Sequence, residues 1–231
     1  AFGSALRITM PTGANRVLAL LSKMFGLAEA WGLRADGSNP CRHVKKYREQ
    51  KRERFLTPAE LGRLGAALAT AERAELESPS VIAAIRLLVL TGARLREILT
   101  LRWEYVDFER ECLRLPDSKT GAKVIHLNEP ALDVLASIEQ AESPWVIVGA
   151  RGGQHLVNLE KPWRRIRKEA GLNDVRIHDL RHSFASVAAG QGNALPVIGK
   201  LLGHTQAQTT QRYAHLADNP IKKATREGVT E

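Results

Sequence analysis

His178 and Arg181 form an H-x-x-R pair in His178-Asp179-Leu180-Arg181, His204 follows Leu201-Leu202-Gly203, and Tyr213 comes nine residues after that histidine. Far upstream, Arg94 stands in Thr91-Gly92-Ala93-Arg94. These side chains supply a hydroxyl nucleophile, two guanidinium groups and several imidazoles. Phosphoryl transfer without a metal would need such an inventory. An unperturbed phenol titrates near pH ~10, so Tyr213 needs nearby cations or a base to attack at neutral pH. The forked donors of arginine suit the non-bridging oxygens of a phosphate. Each residue alone is weak evidence. A lone histidine or tyrosine is more often packed or solvated, and a lone arginine at a helix start is more often in a surface ion pair. His178 and His182, four apart, could suggest a metal pair. No third ligand is placed, however, and His178 is expected to precede the helix proper.

The composition is that of an ordinary globular chain with an excess of basic residues. Of 231 residues, 44% are hydrophobic and 26% charged, enough for one large domain or two modest ones. The formal net charge of +9 favours an acidic partner but does not identify one. Cys41 and Cys112 have no metal-ligand spacing and suggest no disulfide framework, so two reduced thiols in a cytoplasmic protein are expected. The longest apolar run, Val81 to Leu90, is broken by Arg86 and is too short to span a bilayer. No signal peptide is visible. The chain opens at Ala1 and enters helical pattern almost at once, so further sequence upstream is expected.

The elements that must position these residues follow from periodicity and caps. Asn15 to Leu33 is amphipathic and cannot bury its own apolar face, so it needs partners. Asn39 to Arg54 holds seven basic residues, Arg42, Lys45, Lys46, Arg48, Lys51, Arg52 and Arg54, against Glu49 and Glu53. Such a run is usually a solvated linker. Thr57-Pro58-Ala59-Glu60 is a capping box with proline at the first helical position, and Ser78-Pro79 opens a helix over Val81 to Leu90. Gly92 permits a reversal, which puts Arg94 at the start of a helix through Leu95, Ile98, Leu99 and Leu101. There the helix dipole disfavours a cation unless both serve an anion. Cys112 to Leu115 and Lys123 to Leu127 read as strands joined by a hairpin turn with Lys119 at its tip. Glu129 to Glu139 and the basic stretch Asn158 to Ala170 read as helices, and Trp145 to Val148 as extended. Asp179 is expected to cap a helix that turns Leu180, Phe184 and Val187 inward and ends at Gly190. Pro196 to Leu202 is a short helix ended by Gly203, and Ile221 to Arg226 a further one. The chain is therefore mainly α with a small antiparallel β-sheet. Arg94, His178 with Arg181, and His204 all fall at helix ends or breaks, where unpaired N–H groups suit an anion.

The ordered set Arg94, Lys119, His178-x-x-Arg181, Leu202-Gly203-His204 and Tyr213 resembles the signature of the tyrosine recombinases, the phage-integrase family. It covers roughly the last three-quarters of the chain. Thr91-Gly92-Ala93-Arg94 with Glu97 resembles the family's first arginine motif, in which the acidic position has a structural, hydrogen-bonding role. The resemblance implies the tyrosine-recombinase catalytic fold (α+β) over residues 55–231, a basic linker at 41–54, and at 1–40 the end of the helical core-binding domain that clamps DNA. It implies transesterification at a DNA phosphodiester, in which Tyr213 attacks phosphorus to give a 3′-phosphotyrosine and a free 5′-hydroxyl. Arg94 and Arg181 would hold the non-bridging oxygens, and His204 would donate a further hydrogen bond. His178 would accept the tyrosine proton, with His182 and His215 in support. The family's catalytic lysine lies in the hairpin, and Lys119 fits that position better than Lys123, which falls within a strand pattern. The seven linker cations would lie along phosphates.

No metal, cofactor or ATP is implied, because arginines supply the positive charge and the covalent link preserves the bond energy. Double-stranded DNA is the implied partner. A homo-oligomer, a tetramer on DNA and a monomer when free, is the implied assembly, with residues Asn219 to Glu231 long enough to dock on a neighbour. No membrane association is implied, and the expected setting is the cytoplasm, at the nucleoid, for a bacterial or phage-encoded mobile element. One alternative keeps the chemistry without partner exchange, as in a type IB topoisomerase. Another is a catalytically silent DNA-binding regulator, whose signature would be a lost catalytic residue, and none is missing.

Overall fold

The computed structural model describes residues 10–49, 52–117, 121–140, 142–150, 153–204 and 206–217. It divides into two compact units, Ala1–Glu53 and Arg54–Glu231.

In the first unit, proline at the first position starts helix α1, Pro11–Ala30. Its buried Asn15 holds the chain that follows. The side chain donates to the Tyr47 carbonyl at 2.9 Å and to Glu49 Oε1 at 2.8 Å, and accepts from the Tyr47 amide at 2.9 Å. Asn39 donates to the Ser22 carbonyl at 3.0 Å, and its amide donates to Glu29 at 2.6 Å. The basic stretch is thus tied to α1 through the side chains of Asn15, Glu29 and Asn39, while Arg42, Lys45, Lys46, Arg48 and Arg52 remain exposed. Lys51 lies outside the described residues. On α1 itself, Val17, Leu20 and Met24 are more than half exposed.

The second unit is built around one apolar helix. Its entry, α2 (Pro58–Arg73), carries the expected capping box of Thr57 and Glu60. Helix α3 (Pro79–Thr91), capped by Ser78, buries Val81, Ile82, Ala84, Ile85, Leu87 and Leu88. Each fully buried Leu or Ile contributes about 1.5–3 kcal/mol, so α3 anchors the main core. Gly92 ends it in the left-handed region at φ 62°, and the short α4 (Leu95–Leu99) follows. The strands β1 (Val106–Asp107), β2 (Cys112–Leu115) and β3 (Lys123–His126) pair antiparallel in that order, with Leu115 opposite Lys123. Of the hairpin turn, residues 118–120, including Lys119, lie outside the described residues.

Helices α5 (Glu129–Ala136), α6 (Glu160–Glu169), α7 (Ile177–Gly190), α8 (Leu195–Leu202), α9 (Ala207–Thr210) and α10 (Ala214–Ala217) complete the described residues. Helix α3 packs against α5 and α7, and α2 against α6. The basic surface of α6 is partly used internally, since Arg165 pairs with Glu77 and Arg167 donates to the Val175 carbonyl at 2.7 Å.

Several expectations are corrected. The sheet has a third strand, β1, too short to leave a sequence pattern. Helix α5 stops at Ala136, and the stretch after it makes isolated bridges from Trp145 to Arg102 and from Val148 to His155 instead of a strand. Helix α7 begins at Ile177, so Asp179 is not the N-cap. Its carboxylate instead accepts the Arg176 amide at 2.8 Å from the third helical position, and His178 is inside the first turn. Val187 faces outward at 43% exposure. No described helix is long and apolar enough to cross a membrane. The expected helix Ile221 to Arg226 lies outside the described residues.

Candidate active site

Arg181 sits in the second turn of α7 and is 5% exposed. A buried guanidinium must be hydrogen-bonded. Its Nη1 donates to the Gly92 carbonyl at 2.6 Å and its Nη2 to the Leu202 carbonyl at 2.5 Å. Arg181 therefore joins the end of α3 to the end of α8, two breaks that carry Arg94 and His204. Burial first, then the charge of Arg94, lowers its pKa to about 10, so it stays cationic at neutral pH.

The Gly92 turn is shaped for this contact. A Cβ there would lie 2.5 Å from Cδ1 of Phe184, so glycine is required both for the positive φ and for space against α7. Two residues later Arg94 takes the N-cap position of α4. Its amide donates to Glu97 Oε2 at 2.8 Å and its Nη1 to Glu97 Oε1 at 2.8 Å. Glu97 is 8% exposed and also accepts from Lys123 Nζ at 3.0 Å. Burial raises its pKa, but the bonds from Arg94 and Lys123 outweigh it and the net shift is downward. At two of these helix starts the N-cap amide is already taken, that of Arg94 by Glu97 and that of Arg176 by Asp179.

His204 follows Gly203, which ends α8 at φ 65°. Its Nδ1 lies 2.8 Å from Thr210 Oγ1. Burial, then the charges of Arg181, Arg94, Arg212 and Lys123, lower its pKa to about 4. Those charges bear on His204 because all stand around one site. His178 lies on the exposed face of α7; partial desolvation, then the charge of Arg181, lowers its pKa, and its ring meets His182 edge-on at 4.8 Å.

Tyr213 completes the group. It is 1% exposed, at the end of a 3-10 turn, Gln211–Tyr213, and its ring fills a second small core with Ala185, Ala189, Ile198 and Leu202. Phe55 packs against it with ring centroids 6.2 Å apart. Its hydroxyl lies 2.6 Å from Nδ1 of His182. His178 was expected to accept the tyrosine's proton; the imidazole atom that lies against the hydroxyl is Nδ1 of His182. One helical turn separates the two, and it is the second that turns toward Tyr213. Burial first, then the charges of His178 and Arg212, lower the His182 pKa to about 4, so its imidazole is uncharged at neutral pH.

The structure thus gathers Arg94, His178, Arg181, His204 and Tyr213, and adds His182, Lys123 and Arg212. Lys119 cannot be placed, since it lies outside the described residues. Lys123 was set aside as a strand residue. The signal that could have found it is alternation, because an inward-facing lysine at the first position of a strand needs a buried partner. Arg54, counted among the linker cations, is held by two carboxylates. Its Nε donates to Asp174 at 2.7 Å and its Nη2 to Glu60 at 2.6 Å, so its charge is satisfied inside the second unit. No group of three or more potential metal-ligating His, Cys, Asp or Glu side chains occurs among the described residues.

Comparison with known proteins follows the same lines. Residues 54–220 match the model of the phage integrase family. The chain is 31% identical over 214 residues to a tyrosine recombinase of Thermosipho africanus, covering 90% of this chain and 72% of that protein. It is 28% identical to the integrase of Salmonella phage P22 over 78% of this chain, but spans only 48% of that integrase. A crystal structure of XerA recombinase superposes with TM-score 0.61 at 20% identity, over 96% of this chain and 83% of XerA. A lambda integrase dimer bound to a COC′ core site superposes with TM-score 0.67 at 20% identity, over 88% and 59% of the two chains. The chain belongs to the phage integrase family, the tyrosine recombinases.

Proposed function

We propose that this chain is a site-specific DNA recombinase that cleaves and rejoins duplex DNA through a 3′-phosphotyrosine. Tyr213 attacks the scissile phosphorus and the 5′ oxygen departs. His182 takes the phenol proton, a change from His178 that follows from the 2.6 Å contact. Arg94 and Arg181 hold the non-bridging oxygens, His204 donates a further hydrogen bond, and Lys119 protonates the leaving 5′ oxygen. His178, edge-on to His182, keeps that ring in place. Rejoining reverses these steps with the 5′-hydroxyl of a second strand as nucleophile.

The observation that carries this reading is that the phenol of Tyr213 is paired with a neutral imidazole beside the cluster formed by Arg94, Arg181 and His204. The phenol stands close enough to Arg181 to bear on its titration. In this reading residues 1–40 are the end of a DNA-clamping helical domain, 41–54 the linker and 55–231 the catalytic domain. Duplex DNA is the substrate, the working form is a homo-oligomer on DNA, a tetramer during exchange, and the setting is the nucleoid of a bacterial or phage-infected cell. The test uses a nicked suicide duplex whose sequence is first selected from a randomised pool by covalent capture. A protein–DNA adduct on a denaturing gel that is absent in Tyr213→Phe supports the reading, and no adduct from any duplex overturns it. Strand exchange with a second duplex separates recombination from nicking and resealing alone.

A further inference from the structure

Lys123 is the first residue of β3, at an inward-facing position of a strand whose exposure alternates. Its side chain is 5% exposed and its Nζ lies 3.0 Å from Glu97 Oε2. The same carboxylate is held by Arg94 through both the amide and Nη1. The lysine stem also fills the space beside the left-handed turn before His204. A Cβ on Gly203 would stand 2.7 Å from Cε and 2.9 Å from Cδ of Lys123. One side chain of the hairpin therefore touches the elements that carry Arg94 and His204.

Two cations share one buried carboxylate here. With Lys123 present, Glu97 divides its charge between an ammonium and a guanidinium. Without it, Glu97 would bind Arg94 alone, and the guanidinium would be neutralised where an anion is to be held. We propose that Lys123 is a positioning residue that balances Glu97, leaving the Arg94 guanidinium charge for a phosphate oxygen, and seats the Gly203–His204 turn against the hairpin. The inference rests on the assignment of Arg94 and His204 to the phosphate. It does not make Lys123 a proton donor, since its Nζ points at Glu97 from a buried position. Burial lowers its pKa, Glu97 opposes that in part, and the net shift is downward.

The test compares Lys123→Met, Lys123→Gln and Lys123→Arg. Gln retains a donor toward Glu97 without charge and serves if Met fails to fold. Orthovanadate binding, measured by calorimetry, needs no cognate DNA. About tenfold weaker binding is expected in Met and Gln, and less than threefold in Arg. On the suicide duplex, adduct formation by the neutral variants should slow about a hundredfold. A neutral methylphosphonate at the scissile position should restore it, because a neutral phosphorus oxygen needs no cation. A 5′-bridging sulfur, whose departure needs no acid, should not. Rescue by that sulfur would make Lys123 the acid and overturn the proposal. So would unchanged vanadate affinity and adduct rate beside a lowered Tm, which would mark a purely structural ion pair. If wild type forms no adduct with any duplex, the recombinase reading fails, while the vanadate result still decides the role of Lys123.

Discussion

The phenol oxygen of Tyr213 and Nδ1 of His182 are 2.6 Å apart, although 31 residues separate the two in the chain. The pair joins the last described helical turns to α7. If His182 is the base, His182→Ala should slow adduct formation by about a hundredfold, within the usual range for proton transfer by a positioned side chain. Tyr213→Phe should abolish the adduct and lower stability by about 1 kcal/mol, the worth of one buried hydrogen bond. A gel time course with thermal melts of both variants checks this.

Arg181 should not tolerate lysine. An ammonium cannot place two donors on the Gly92 and Leu202 carbonyls in the geometry of a planar fork. Arg181→Lys should therefore lower both stability, by about 2 kcal/mol for buried acceptors left unpaired, and the adduct rate, by more than a hundredfold. Melting curves and single-turnover cleavage measure the two losses.

Acid should loosen the site before it unfolds the rest. His182 and His204 titrate near 4 in the fold and near the ordinary histidine value, about 6.5, when unfolded. Between those values the unfolded chain binds more protons, so stability is lost as pH falls from about 6.5 toward 4. Discounted for partial exposure, the pair is worth about 2 kcal/mol, a Tm lower by about 4–8 °C at the acid end. The double variant His182→Phe, His204→Gln should flatten that slope. A pH series of melting curves reads it directly.

The cations near the domain junction should divide into two kinds. Arg54 is bound to Glu60 and Asp174, whose bonds raise its pKa, and it holds the Glu60 pKa down to about 2. Arg54→Ala should lower Tm without changing how DNA affinity varies with salt. Lys45→Ala with Lys46→Ala removes two exposed charges and should reduce the slope of log affinity against log salt by about 1.8. Fluorescence anisotropy across a salt series separates the outcomes.

How much of this was readable in the chain depended on how local the cause was. The capping box at Thr57, the serine cap before α3 and the glycine turns at 92 and 203 rest on neighbouring residues, and all appear where expected. Asp179 misled because a carboxylate can serve at the N-cap or at the third position, and the deciding partner was the Arg176 amide. His182 and Lys123 were underrated for another reason. Their partners, Tyr213 and Glu97, lie 31 and 26 residues away, and only tertiary packing makes them neighbours. Val187 took an outward position because α7 is covered along a narrower strip than its apolar residues suggest.

Arg181 is fixed by two peptide oxygens, those of Gly92 and Leu202, and not by the side chain of another residue. Every amino acid brings a carbonyl, so mutation at Leu202 can change the side chain there and leave the anchor untouched. The demand on inheritance is then for a path of the main chain, with glycine at one bend, and far less for particular neighbours. A guanidinium held this way depends on where the main chain runs more than on the side chains that surround it.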